Sequence, residues 1–200
     1  PFGRKLTEAE AIALLAEHNP IGLFAGIEPL TAKVLDAAAP HLKAISRCGV
    51  GLESVDLEAA KRLGIPVYST PDAPSPAVAE LALAHMLAVL RRVPEADRAL
   101  RAGTWKALQG RLLGGKTVGV VGLGRIGARV AALCAAFGCR VLGCDERPFS
   151  VPGVEAVDLA ALLRDSDIVT LHVPLLPATR GLIGAERLAA MKKGSILINV

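Results

Sequence analysis

The chain has 200 residues, of which 52% are apolar and 21% charged, enough to bury a core in one large or two small domains. Its 23 Lys and Arg are interleaved with 19 Asp and Glu, for a formal net charge of +4, which argues against a nucleic-acid-binding arm. The longest apolar stretch, residues 77–90, contains Glu80 and His85, too short for a membrane span. The N-terminus lacks an apolar signal core, so we expect a globular, cytoplasmic protein without nucleic-acid or membrane partners.

The first third of the chain alternates between helix and strand signals. Thr7 followed by Glu10 is a capping box that opens a helix, and Thr31 and Asp56 are N-cap residues for two more. In chain order we predict helix 7–18, strand 21–25, helix 31–39, strand 43–47, helix 56–63 and strand 65–68. This alternation predicts a small parallel sheet with helical crossovers.

A proline-dense segment, residues 70–76, interrupts the alternation, and we place a domain boundary there, between residues 1–75 and 76–200. Ser75 as N-cap with Pro76 starts a long helix that Pro94 ends or kinks. The later elements are helix 75–92, a helix to about 101, strand 117–121, helix 125–137, strand 140–144, helix 159–164, strand 168–172, helix 186–191 and strand 196–200. Four short apolar strands predict most of an open, doubly wound Rossmann sheet.

A glycine-rich turn lies between the strand 117–121 and the following helix, and it has the G-x-G-x-x-G spacing of a dinucleotide site. Gly122 permits the tight turn, Gly124 lets the backbone approach a pyrophosphate, and Gly127 lets the helix pack closely on the strand. The helix N-terminus offers amides and a partial positive charge to the diphosphate. Arg125 adds a donor at the mouth of the turn.

An acidic residue follows the next strand, where the adenosine ribose of a dinucleotide is bound. The Asp145 carboxylate can accept hydrogen bonds from the ribose hydroxyls and would repel a 2′-phosphate, so NAD is favoured over NADP. Arg147 keeps NADP open as an alternative. The other interpretation is an ordinary strand-turn-helix with a surface Asp.

The cysteines and most histidines carry no predicted chemistry. The spacing of Cys48, Cys134, Cys139 and Cys144 does not fit a zinc site, and we expect small buried apolar side chains, with no metal and no disulfide. His85 lies on an apolar helix and is predicted to be a core residue.

Several motifs in a fixed order resemble one family, the D-isomer-specific 2-hydroxyacid dehydrogenases, and within it the branch similar to phosphoglycerate dehydrogenase. The likeness covers nearly the whole chain. It rests on residues 47–51 (RCGVG), 55–60 (VDLEAA), 64–67 (GIPV), 79–81 (AEL), 101–105 (RAGTW), the turn 122–127, 172–175 (HVPL), Thr179 and 181–183 (GLI). The resemblance implies an α/β fold, a Rossmann NAD-binding domain with a smaller flavodoxin-like substrate domain, both incomplete here.

The resemblance also implies roles for individual residues. Substrate contacts fall on Arg47, Cys48, Gly49 and Val50, where backbone amides of the loop would hold the substrate carboxylate and Val50 would also touch the nicotinamide side. Besides the glycines and Asp145, the implied cofactor contacts are Arg125, Ile126, His172, Val173, Pro174 and Val200. His172 lies at the carboxyl end of a strand and is chemically able to act as an acid or base, but the family position lines the cofactor pocket.

The implied activity is hydride transfer between a 2-hydroxy or 2-oxo acid and NAD. The resemblance assigns a substrate-clamping Arg and a proton-relaying Glu and His to sequence beyond the strand 196–200. Because Pro1 is not an initiator Met and the chain ends on that strand, we expect a fragment cut at both ends, without turnover of its own. Ile27 and Glu28 replace the basic residue expected of phosphoglycerate enzymes, and the Asn residues common near Ser69 and Pro74 are absent, which argues against phosphoglycerate as the substrate. Arg47 is a basic residue that would compensate, so phosphoglycerate stays open.

Two alternatives to the dehydrogenase remain open. One is a non-enzymatic, NAD(H)-sensing corepressor-like interaction protein on the same fold, and the other is an NAD enzyme of the S-adenosylhomocysteine hydrolase type. The segment from Pro94 to Lys116, with Trp105, resembles the family's dimer-forming region and predicts a homodimer. Trp105 packing on its own domain is the other interpretation.

Overall fold

The computed structural model describes residues 4–200, and contacts within the chain separate two compact units, Pro1–Pro74 and Ser75–Val200. The first is called unit 1 and the second unit 2. No helix among the described residues is long and apolar enough to cross a membrane.

Unit 1 is a three-stranded parallel sheet with helices between its strands. Its elements are α1 (Glu8–His18), β1 (Gly22–Ala25), α2 (Ala32–Ala38), β2 (Ala44–Arg47), α3 (Leu57–Arg62) and β3 (Val67–Ser69). The strand order is β1-β2-β3, with Ile45 paired to Leu23 and Val67. The capping box of α1 is confirmed, since Thr7 and Glu10 bond each other's backbone amides. The predicted small parallel sheet is therefore confirmed.

The two faces of the unit 1 sheet differ in their exposure to solvent. Ile45 is fully buried in a core formed with α1, α2 and α3. On the other face Phe24 and Tyr68, which flank Ser46 in register, are 71% and 61% exposed.

Unit 2 is a five-stranded parallel sheet with helices on both faces. Its elements are α4 (Ser75–Leu90), α5 (Val93–Arg101), β4 (Thr117–Val121), α6 (Arg125–Ala136), β5 (Arg140–Cys144), β6 (Val154–Ala156), α7 (Leu159–Asp165), β7 (Ile168–Leu171), α8 (Ala185–Ala189) and β8 (Ile196–Asn199). The strand order is β6-β5-β4-β7-β8, which is the doubly wound order in which the chain starts in the middle and winds both ways. The predicted Rossmann sheet is confirmed.

Alternation along β4 separates the two layers of the unit 2 core. Val118 and Val120 are fully buried against α4 and α6, whereas Val121 belongs to the core beneath α7. Gly119 leaves room for α7, since a Cβ there would lie 2.4 Å from a methyl carbon of Leu162.

Several predictions are corrected by the structure. The strand β6 was missed, because three residues at a sheet edge give almost no periodic signal. Of the two roles predicted for Pro94, the kink is wrong: α4 ends at Leu90, and Pro94 lies in the first turn of α5. His85 is exposed, because the buried positions Ala82 and Met86 place the core on another face of α4. Cys48 is exposed as well, on the loop after β2.

Candidate functional site

The candidate site lies where two neighbouring strands of unit 2 end. Gly122 follows β4 and His172 follows β7, and these strands are adjacent in the sheet although β5, β6 and α7 intervene in sequence. In open parallel sheets, ligands bind outside the carboxyl ends at the point where the strand order reverses. The strand order of unit 2 reverses between β4 and β7.

Each glycine of the turn meets a different constraint. Gly122 has φ +89°, and a Cβ there would lie 2.6 Å from the carbonyl oxygen of His172. A Cβ on Gly127 would lie only 1.8 Å from the carbonyl oxygen of Gly122, so α6 packs directly on the turn. A Cβ on Gly124 would meet no atom within 4 Å. The backbone at Gly124 therefore borders open space that a ligand can approach closely.

The N-terminus of α6 faces that open space without a capping side chain. Gly124 is the N-cap residue, and no side chain of its own can bond the first amides of the helix. The next amides belong to Arg125 and Ile126, and these carry the positive end of the helix dipole. An anionic group at the turn would meet backbone donors instead of a competing side-chain oxygen.

Asp145 follows β5 and is bonded to the glycine turn. Its Oδ2 accepts a hydrogen bond from the Leu123 amide at 2.6 Å, and its Oδ1 accepts one from the Arg147 amide at 2.9 Å. The side chain is half-buried. These two bonds fix the direction of the carboxylate beside the turn.

His172 is paired with a residue that sequence analysis did not single out. Its Nε2 lies 2.9 Å from Oγ1 of Thr170, which is fully buried. Burial lowers the pKa of His172 to about 4, so its imidazole is neutral near pH 7. Side chains two apart on a strand share a face, and this spacing is the signal that could have found Thr170.

The residues after His172 shape the rim of the turn. A methyl carbon of Val173 would lie 3.0 Å from a Cβ on Gly122. The carbonyl of Pro174 accepts a hydrogen bond from the Thr179 hydroxyl, which also accepts one from the Leu176 amide at 2.8 Å. Val200, which directly follows β8, is 42% exposed.

The predicted substrate residues belong to unit 1 and form the loop after β2. Gly49 has φ +139° and donates its amide to Oγ1 of Thr70 at 3.0 Å, while the Cys48 amide donates to Ala25 at 2.8 Å. Thr70, 21 residues away, was missed because nothing local signals it. Among the described residues, the backbone amides of Val50 and Gly51 make no hydrogen bond.

Arg47 ends β2 and lies over the same loop. Its Nη1 lies 2.6 Å from the position of a Cβ on Gly49, so the guanidinium would have to shift for any other residue there, and the φ of Gly49 disfavours such a residue as well. Its Nε is buried and has no hydrogen-bond partner among the described residues. Among residues 4–200, no group of three or more His, Cys, Asp or Glu side chains is arranged to hold a metal ion.

Comparison with known proteins adds the family. Residues 83–200 match the family model described as "D-isomer specific 2-hydroxyacid dehydrogenase, NAD binding domain". A hydroxypyruvate reductase of Thermotoga maritima is 44% identical over 173 residues, covering 85% of this chain and 56% of that protein. A D-3-phosphoglycerate dehydrogenase of Methanocaldococcus jannaschii is 42% identical over 201 residues, covering 97% of this chain and 38% of that protein.

A crystal structure of a Thermus thermophilus protein has the same fold, with a TM-score of 0.87 and 42% identity, covering 97% of this chain and 63% of that one. The chain thus spans roughly 38–56% of the two curated relatives. It belongs to the D-isomer-specific 2-hydroxyacid dehydrogenase family, and residues 83–200 are its NAD-binding domain.

Proposed function

We propose that this chain supplies the NAD site and part of the substrate site of an NAD-dependent dehydrogenase that acts on a D-2-hydroxy acid. The observation that carries the proposal is the bond between Asp145 and the Leu123 amide, which joins the ribose-binding acid to the phosphate-binding turn. A surface Asp in an ordinary strand-turn-helix would need no such connection.

The residues of the turn fit a dinucleotide. The pyrophosphate would bind beside Gly124, against the backbone amides of Arg125 and Ile126, where an added Cβ meets nothing within 4 Å. The ribose hydroxyls would donate to Asp145, which excludes a 2′-phosphate by charge. When bound, the nicotinamide accepts a hydride from, or donates one to, the carbon that bears the substrate oxygen.

The residues around β7 would line the cofactor and not carry its protons. We assign His172, Val173 and Pro174 to the wall of the cleft beside Gly122, and Val200 to the same edge of the sheet. A buried imidazole with a pKa of about 4 is almost entirely neutral at pH 7, so it is a poor general acid there.

For unit 1 we propose that the loop at Arg47, Cys48, Gly49 and Val50 binds the substrate. The amides of Val50 and Gly51 would bind the substrate carboxylate, and the side chain of Val50 is 46% exposed beside them. Nearby in the same unit, Oε1 of Glu28 accepts a hydrogen bond from the Gly26 amide at 2.8 Å. A fixed carboxylate there disfavours a phosphorylated substrate.

We also propose a homodimer formed through unit 2. Apolar side chains around α5 and the following segment are exposed, among them Trp105 at 87%, Leu112 at 73% and Leu100 at 54%. An exposed apolar surface of this kind is typical of a protein interface.

Two experiments test the proposed activity. The first measures NADH and NADPH binding to this chain by calorimetry, with tighter binding of NADH expected. The second follows NADH formation by the full-length protein with D-glycerate, D-lactate and D-3-phosphoglycerate, using the L-isomers as controls. Binding of NADH without turnover of any of these acids would refute the dehydrogenase and leave the NAD site intact.

A further inference from the structure

Basic residues lie at the edge of the unit 2 sheet opposite the glycine turn. Lys116 directly precedes β4, Asp167 precedes β7, and residues 192–195 precede β8. These three strands are parallel neighbours, so the residues before them meet at one edge. With five residues in β4 and about 3.3 Å per residue, this edge lies about 17 Å from the turn.

A cavity of about 100 Å³ opens at this edge. Its charged lining consists of Arg111, Lys116, Lys192 and Lys193 against the carboxylate of Asp167, a formal excess of three positive charges. Like charges held together raise the free energy of the folded state. An anion bound in the cavity would relieve that repulsion.

Asp167 forms a direct ion pair with only one of these cations, Lys192. Its Oδ2 accepts the Thr117 amide at 2.9 Å, and its Oδ1 accepts Nζ of Lys192 at 3.0 Å. Burial raises the pKa of Asp167, but the Thr117 amide and the ammonium groups of Lys192 and Lys116 outweigh burial and hold it below its ordinary value. Among residues 4–200, the side chains of Arg111, Lys116 and Lys193 make no hydrogen bond or ion pair.

The backbone beneath these three cations is held by the fold. The Arg111 amide donates to the carbonyl of Leu90 at 2.8 Å, and the carbonyl of Lys116 accepts the Arg140 amide at 3.0 Å. Gly194, with φ +78°, closes the turn that carries the two adjacent lysines. The backbone that carries these cations is therefore held in place by the fold. Only the side chains of Arg111, Lys116 and Lys193 must be ordered when an anion binds.

We propose that this cavity binds a phosphate-type oxyanion. Its volume is below the roughly 300–1,000 Å³ of sites that enclose a whole small molecule, so it would enclose one phosphate group, with any organic part lying outside. Lysine ammonium groups bind phosphate as point charges, and Arg111 adds a planar guanidinium donor. The site is separate from the NAD site.

The test is a titration of this chain with inorganic phosphate, followed by the backbone amide signals in nuclear magnetic resonance spectra. Saturating NADH is present so that the glycine turn is occupied. We expect saturable shifts at Thr117, Gly194 and Ser195. Lys116→Ala and Lys193→Ala should each weaken phosphate binding by about ten-fold, whereas Lys43→Ala, which removes the same charge in unit 1, should leave it unchanged.

A variant that should strengthen phosphate binding keeps the test independent of folding defects. Asp167→Asn retains an acceptor for the Thr117 amide and releases Lys192, so phosphate should bind several-fold more tightly. A parallel titration with glycerol 3-phosphate identifies the source: tighter binding than phosphate supports a phosphorylated metabolite, and equal binding supports inorganic phosphate. Shifts confined to residues 122–127, shifts that do not saturate, or equal losses for Lys43→Ala and Lys193→Ala would overturn the proposal. NADH affinity of Lys193→Ala, measured alongside, reports separately on the NAD site.

Discussion

The carboxylate of Asp145 accepts a hydrogen bond from the backbone amide of Leu123, with 2.6 Å between Oδ2 and N. Leu123 lies between the first two glycines of the turn, whereas Asp145 follows the neighbouring strand β5. The bond therefore joins the glycine turn to the end of β5, the two parts of the dinucleotide site that we propose. Each carboxylate oxygen keeps a further lone pair, which is available to a ribose hydroxyl.

Replacing this carboxylate should change both affinity and cofactor choice. Asp145→Ala removes the acceptor for the ribose hydroxyls, and we expect NADH affinity to fall by about ten- to hundred-fold. Loss of the negative charge should leave NADPH binding unchanged or improve it. Calorimetric titration with each nucleotide measures both effects.

The matched control for Asp145→Ala is Glu155→Gln on the neighbouring strand β6, where the carboxylate pairs with Arg140 at 2.7 Å. It should leave both nucleotide affinities unchanged. If Asp145→Ala kept its preference for NADH, the assignment of this acid to the ribose would be wrong.

Two glycines of the turn should respond differently to the same substitution. Gly127→Ala forces a Cβ against the carbonyl of Gly122, 1.8 Å away, and should lower the free energy of unfolding by about 1–3 kcal/mol or more. Gly124→Ala meets no atom within 4 Å at φ −68° and should change stability by less than about 1 kcal/mol.

Both alanine variants should nevertheless lose NADH affinity. At Gly124 the added methyl group occupies the space that the pyrophosphate needs. Gly124→Ala should therefore keep its stability in urea unfolding and lose affinity in an NADH fluorescence titration, whereas Gly127→Ala should lose both. Full NADH affinity in Gly124→Ala would show that the ligand does not approach the backbone there.

The glycine turn and Asp145 could be found in the sequence because their signals are local: a strand, a fixed glycine spacing and an acid after the next strand. The bond from Asp145 to Leu123 was not predictable, since it joins residues 22 apart through the pairing of β4 with β5. The Thr70 bond to Gly49 was hidden for the same reason.

Other misses come from weak or ambiguous local signals. The edge strand β6 pairs Val154 with Val141, yet three residues cannot establish a period of two. His85 was misplaced because α4 is almost wholly apolar, and such a sequence does not indicate which face of the helix is buried. Only packing against α6, seen in the contact of Met86 with Cys134, identifies that face.

The exposed apolar segment of unit 2 leads to a prediction about assembly. If Trp105 and Leu112 lie in a dimer interface, the double variant Trp105→Ser, Leu112→Ser should be monomeric at concentrations where the unchanged chain is dimeric, because truncating large buried interface side chains costs about 2 kcal/mol or more each. Light scattering coupled to size exclusion measures the mass. Ile27→Ser, which removes a 61% exposed apolar side chain from unit 1, is the control and should not change it. An unchanged chain that is already monomeric would refute the dimer.

Burial of His172 predicts a loss of stability in acid. Its pKa is lowered from 6.5 to about 4 in the folded chain, so below about pH 6.5 the unfolded chain takes up a proton that the folded chain does not. The titration of His172 therefore has no effect on the free energy of unfolding above its unfolded pKa. It destabilises the fold progressively as the pH falls from about 6.5 to about 4, by at most about 1.4 kcal/mol per pH unit.

His172→Asn removes this titration and should flatten the pH dependence within that window. Urea unfolding at about pH 7 and about pH 5 gives the free-energy difference for the unchanged chain and for the variant, and the variant's difference should be smaller. His85→Asn, an exposed histidine on α4, is the control. The two differences would be equal if His172 were accessible to protons in the folded chain. The assignment of His172 as a neutral residue that lines the cofactor would then be wrong.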